Sequence, residues 1–159
     1  MANNLNKTSG LEFEIRQKNS FNIVKYGIYQ NNKHVGNINL RHLELFGKSY
    51  NFKRKWDLSK MYAFRSENME LGHYHWNLLN MILYLPIFVC DKIVIRDKEY
   101  KVCPRKKFSY NSDVFEKNSN DAVIKFTRKK LLTKNDLILF GNKIKKEDYA
   151  AFIGLLFFR

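Results

Sequence analysis

The stretch that decides the fold is the last one: Lys145-Lys146-Glu147-Asp148, then YAAFIGLLFF over residues 149–158, then Arg159. Ten consecutive residues carry no polar group except the Tyr149 hydroxyl. Two acids before the run and an arginine after it complement the dipole of a helix, which predicts a helix over residues 146–158. A helix apolar on every side has to be covered on every side. Thirteen residues rise about 20 Å, too little for a hydrocarbon core of about 30 Å but close to the length of a six-residue strand. A sheet wrapped around the helix fits both lengths. Docking in an ordinary groove and lying at a membrane interface are the competing placements.

Upstream, the chain supplies strands. Residues 11–16 (LEFEIR) alternate apolar and charged without a break, placing Leu11, Phe13 and Ile15 on one face. Residues 23–29 and 35–40 flank Gln30-Asn31-Asn32-Lys33, a polar turn for a hairpin. The pattern recurs over residues 92–102, around Arg96-Asp97-Lys98-Glu99, and further apolar runs stand at 122–126 and 137–140. Short strands at roughly ten-residue spacing predict an antiparallel sandwich or barrel. Residues 57–71 fit a short helix and an irregular excursion equally well. The apolar stretch 76–90, WNLLNMILYLPIFVC, reads as a buried helical turn leading into a strand after Pro86. The expected fold is therefore mainly β, an antiparallel barrel-like sheet around a buried hydrophobic C-terminal helix, with residues 1–10 as a loose leader and 11–159 as one domain.

Composition supports a folded core. Apolar residues make up 45% and aromatics 15%, with seven glycines, two prolines and eighteen asparagines, so turns must lean on Asn and Asp. A chain of this length can bury about 68–70% of its unfolded surface. Cys90 and Cys103 can in principle pair, but no disulfide framework or export signal stands beside them, and reduced thiols in a cytoplasmic setting, with peripheral attachment to a membrane allowed, are expected.

The succession KYGIYQNNKHVGNINL and DKIVIRDKEYKV, closed by KKEDYAAFIGLLFFR, resembles the tubby C-terminal-like fold of tubby domains, phospholipid scramblases and LURP-one-related proteins. The resemblance implies an antiparallel barrel around a hydrophobic helix, and anionic phospholipid headgroups as a partner class. It rests on order and pattern over most of the chain from about Leu11. Residues 49–76 depart from the regular meander of those domains, and no functional residue carries over.

Charge is the compositional extreme: 29 Lys and Arg against 15 Asp and Glu give +14. Residues 96–146 hold fifteen basic and six acidic groups, +9 of the total. Such a field attracts polyanions. Three triplets are the candidate anion-binding residues: Lys53, Arg54 and Lys55; Arg105, Lys106 and Lys107; Arg128, Lys129 and Lys130. The first two are interleaved with Phe52, Trp56, Phe108 and Tyr110, rings that either stack on bases and enter lipid or simply face the core. His73 and His75 with Cys90 and Cys103 form a conceivable zinc set, and His34 with His42 an acid and base pair, but neither follows a recognised spacing. No catalytic residue, metal or cofactor is assigned. The expected function is binding of an anionic surface such as phospholipid headgroups through basic loops. Nucleic-acid binding, or protein interaction with incidental charge, is the alternative.

Overall fold

A computed structural model describes residues 10–18, 25–66, 69–82, 89–106, 109–130 and 135–159. The strands are β1 (Leu11–Lys18), β2 (Lys25–Gln30), β3 (Lys33–Asn39), β4 (His42–Leu45), β5 (Lys48–Arg54) and β6 (Lys60–Ser66). They continue as β7 (Met69–His75), β8 (Asp91–Ile95), β9 (Lys98–Pro104), β10 (Ser112–Glu116), β11 (Ala122–Lys130) and β12 (Asn135–Phe140). A short helix α1 (Leu78–Ile82) lies between β7 and β8, and a 3-10 turn (Lys146–Asp148) leads into helix α2 (Tyr149–Phe158). Each strand pairs antiparallel with its sequence neighbours, and β1 closes the ring on β12.

The ring follows from local rules. At Asn31-Asn32, Phe46-Gly47 and Arg96-Asp97 both turn residues have positive φ, the geometry that matches the twist of a two-residue hairpin. Along the strands every second side chain points inward, giving the buried series Phe13 and Ile15, Ile93 and Ile95, Ile138 and Phe140. Eight strands leave room only for side chains inside a barrel; this larger ring has space to fill. Helix α2 fills it. Nine of its ten residues are buried, and none of its faces is spared.

The helix has a direction. Tyr149 packs on Phe13 and Phe140 with ring centroids 5.6 and 4.4 Å away, Phe152 meets Tyr100 at 5.0 Å, and Phe157 meets Tyr26 at 4.9 Å. Arg96 holds the start, with 3.0 Å contacts to both Glu147 and Asp148. Burial pushes the Asp148 carboxyl above the usual range. At the finish the Arg159 guanidinium donates to the Tyr110 carbonyl (2.6 Å) and the Ser112 hydroxyl (2.9 Å).

Several expectations change here. Residues 57–71 hold no helix among those described: 57–59 form a turn, and 60–66 and 69–71 belong to the paired strands β6 and β7, which continue the antiparallel order of the ring. The helical turn within 76–90 is present as α1, but Leu78, Leu79 and Ile82 face solvent instead of the core. The strand expected after Pro86 begins at Asp91. Residues 1–9 of the expected leader lie outside the described residues.

Enclosure makes a signed prediction at Gly154. A Cβ there would sit 1.9 Å from Cζ of Phe52, whose ring is wholly buried. On an exposed helix Gly→Ala gains about 1 kcal/mol; inside this barrel Gly154→Ala should lose about 1–3 kcal/mol by overpacking. Phe52→Leu in the same chain should return part of the loss. Chemical denaturation of the three variants measures it.

Candidate functional site at the basic end of the barrel

The meander sends its connections alternately to two ends. At one end the described turns are compact and charges pair locally, as in Arg96 with the start of α2, Lys98 with Glu116 and Lys117 with Glu99. At the other lie the β3–β4 turn, residues 55–59 between β5 and β6, the described part of the α1 excursion, and residues 105–106 and 109–111 between β9 and β10. The described members of all three basic triplets sit on this second end, because β5, β9 and β11 all run toward it. Lys18, Lys25 and Arg41 also stand there, so the basic end draws on both halves of the chain.

The nine candidate residues do different jobs. The Arg128 guanidinium donates through Nε and Nη2 to the wholly buried Asp136 carboxylate at 2.9 and 3.1 Å, and stacks beside Tyr110 and Phe126. Arg105 donates to Asp113 at 2.6 Å and to the Thr127 hydroxyl at 3.1 Å. Lys55 folds back along the outer wall, 3.2 Å from Glu70 and over the Tyr62 ring at 4.3 Å. Arg54 lies over Trp76 at 4.7 Å. Lys129 reaches Glu14 only at 3.7 Å and is half exposed. Lys53 and Lys106 are exposed and make no ion pair among the described residues. Lys107 and Phe108 lie outside the described residues, as does the Lys130 side chain.

The aspartates at this end offset part of that charge, chiefly that of Arg105 and Arg128, and leave Lys53 and Lys106 without a carboxylate partner among the described residues. Asp113 and Asp136 are already paired. Asp57 accepts from the Ser59 hydroxyl and sits 3.0 Å from Lys60, contacts that hold its carboxyl at about 2. Asp91 is buried and accepts from the Tyr74 hydroxyl (2.6 Å), the Asn77 amide (2.7 Å) and the Asn80 side-chain amide (2.9 Å).

The interleaved rings split. Phe52 is buried among core side chains and Tyr110 is half-buried, whereas Trp56 is 101% exposed, with its side chain free of neighbours. The sequence offers no signal that separates Phe52 from Trp56 except their spacing, which puts Phe52 on the inward register and Trp56 beyond the strand end.

Cys90 and Cys103 form a disulfide with their Cα atoms 4.2 Å apart. The expectation of reduced thiols is therefore wrong, for a reason of register: Asp91 pairs with Val102, so the flanking cysteines face each other across β8 and β9. Paired sulfurs cannot ligate zinc as thiolates, and no group of three metal-ligating side chains occurs among the described residues. His34 and His42 stand toward opposite ends of the β3–β4 pair, hydrogen-bonded to Asn37 and Asn51 respectively, and form no catalytic pair. The pairing also removes the argument for a reducing compartment. No helix among the described residues is long and apolar enough to cross a membrane.

Comparison with known proteins gives no match: no family model, no curated protein and no solved structure is significantly similar to this chain.

Arg128 and Lys53 make opposite predictions. Arg128→Ala strands a buried carboxylate and should cost about 3–5 kcal/mol of stability. Lys53→Ala should leave the melting temperature unchanged. Thermal melts of the two variants separate cations that build the barrel from cations that face outward.

Proposed function

We propose that this protein is a binding domain for anionic membrane surfaces, engaging phospholipid headgroups with the basic end of its barrel. The observation that carries the reading is convergence. The described members of triplets that lie about fifty and about twenty residues apart in sequence share one end of the barrel, and the aspartates beside them are paired, buried or held within their own turn. A convergent set of cations next to an anionic bilayer contributes about 1 kcal/mol each. Lys53, Lys106 and Lys129 are the outward members of the set; Arg105 and Arg128 support it by shaping the strand ends. Aliphatic side chains stand exposed among these cations, Leu58 and Leu78 in particular. They favour lipid over nucleic acid, whose bases stack on rings and whose phosphates bind cations but which offer little to an exposed leucine.

Vesicle sedimentation tests the proposal. The protein should pellet with phosphatidylserine-containing vesicles, stay in solution with phosphatidylcholine alone, and bind less as salt rises. Replacing Lys53, Lys106 and Lys129 together by glutamine should weaken binding roughly a hundredfold, at about 1 kcal/mol per charge. Equal binding to neutral and acidic vesicles contradicts the proposal. Failure to bind vesicles together with a salt-sensitive mobility shift of DNA or RNA would move the reading to nucleic acid. Failure of both would make the charge incidental to a protein contact.

A further inference from the structure

The exposed large apolar residues are not spread over the barrel. Of nine among the described residues, seven lie at the basic end: Leu40, Trp56, Leu58, Leu78, Leu79, Ile82 and Val89, leaving Phe46 and Met69 elsewhere. They emerge from three neighbouring connections on one half of the rim. Lys60 pairs with His75 and the Trp76 amide donates to the Ser59 carbonyl at 2.9 Å, so the Trp56 loop and the α1 excursion rise side by side. The Phe52 amide donates to the Arg41 carbonyl at 2.9 Å, which sets the Leu40 turn beside the end of β5.

Helix α1 has its polarity reversed relative to a helix packed on a soluble core. Its polar residue Asn80 is 2% exposed while Leu78, Leu79 and Ile82 are 64%, 46% and 62% exposed. The reversal is built in. Asn80 donates to the Val89 carbonyl at 2.8 Å and to Asp91 at 2.9 Å, Asp91 also takes the Asn77 amide, and the Cys90–Cys103 disulfide ties the return of the chain to β9. Leucines held outward by a buried polar network are fixed before any partner arrives, which lowers the ordering cost of binding.

We infer, building on the membrane reading above, that the half-rim carrying Trp56, Leu58 and α1 inserts into the interfacial layer of an anionic bilayer while the cations around it hold the headgroups. Charge selects the occupant. A second copy docking through the same end would bring two strongly basic surfaces together, which like-charge repulsion opposes, whereas an anionic bilayer offers complementary charge and an apolar layer within reach of short protrusions. Tryptophan favours that depth because its ring is apolar at one end and polar at the other.

The two tryptophans of the chain make the test direct, since Trp76 is buried and Trp56 is the one that would change solvent. The full chain and its Trp56→Phe variant are titrated with phosphatidylserine-containing vesicles carrying brominated acyl chains, with sedimentation followed in parallel. The expected result is a blue shift and bromine quenching in the wild type, both lost in Trp56→Phe while sedimentation persists. The variant Leu78→Ser/Leu79→Ser/Ile82→Ser should sediment at low salt but lose at least tenfold of the binding that survives high salt. Sedimentation without shift or quenching overturns insertion and leaves headgroup binding standing. No sedimentation removes both. A blue shift that appears without vesicles and tracks a concentration-dependent dimer assigns the surface to a second copy and overturns the inference.

Discussion

The structure depends on one packing arrangement, a helix without a polar side standing inside a ring of strands. Neither part is viable alone. A twelve-strand ring has an interior too wide for its own inward side chains to fill, and a helix with Phe152, Ile153, Leu155, Leu156 and Phe157 on all sides has no face for water. Burying those five side chains is worth roughly 8–15 kcal/mol at about 1.5–3 kcal/mol each. That equals the whole net stability of a typical domain, about 5–15 kcal/mol. The helix is therefore part of the core and not an addition to it.

The same packing assigns work to the two ends. Arg96 grips the start of α2 where the described turns are short and charges pair locally, and Arg159 closes its finish on Tyr110 and Ser112. The connections at the finish carry the exposed cations, the exposed tryptophan and the inverted short helix. Variation in those connections leaves the ladder of strand pairs untouched, which is the usual division between a scaffold and the loops that act on it. Buried pairs such as Arg128 with Asp136 mark where the two overlap: the arginine sits among the basic residues but serves the barrel.

Strands with clean alternation were legible in the sequence, as in Phe13 and Ile15 or Ile93 and Ile95, and so were the Asn31-Asn32 and Arg96-Asp97 turns, whose residue types tolerate or flank positive φ. The α2 helix was legible because a run of ten apolar residues bounded by charge has few other readings. The β6–β7 hairpin was hidden for a physical reason. On β6, Tyr62 and Phe64 alternate with Met61 and Ala63, so both faces look apolar, and register shifts after Ala63 and Phe64 break the period further. On β7 the buried residues Leu71, Gly72 and Tyr74 do not alternate, and Glu70, His73 and His75 break up the apolar pattern further. The basic triplets could be read as charge, but their convergence depends on which way each strand runs, and the Cys90–Cys103 pairing depends on register between β8 and β9. Neither is a property of local sequence.

Removing Ala150–Arg159 tests the central claim most directly. With the interior emptied, the remaining chain should show no cooperative thermal transition and no near-ultraviolet dichroism, and adding the missing segment as a peptide should restore part of both. A truncated chain that melts cooperatively with the native β signature would contradict the account, because the barrel would then close without the helix that is held to fill it.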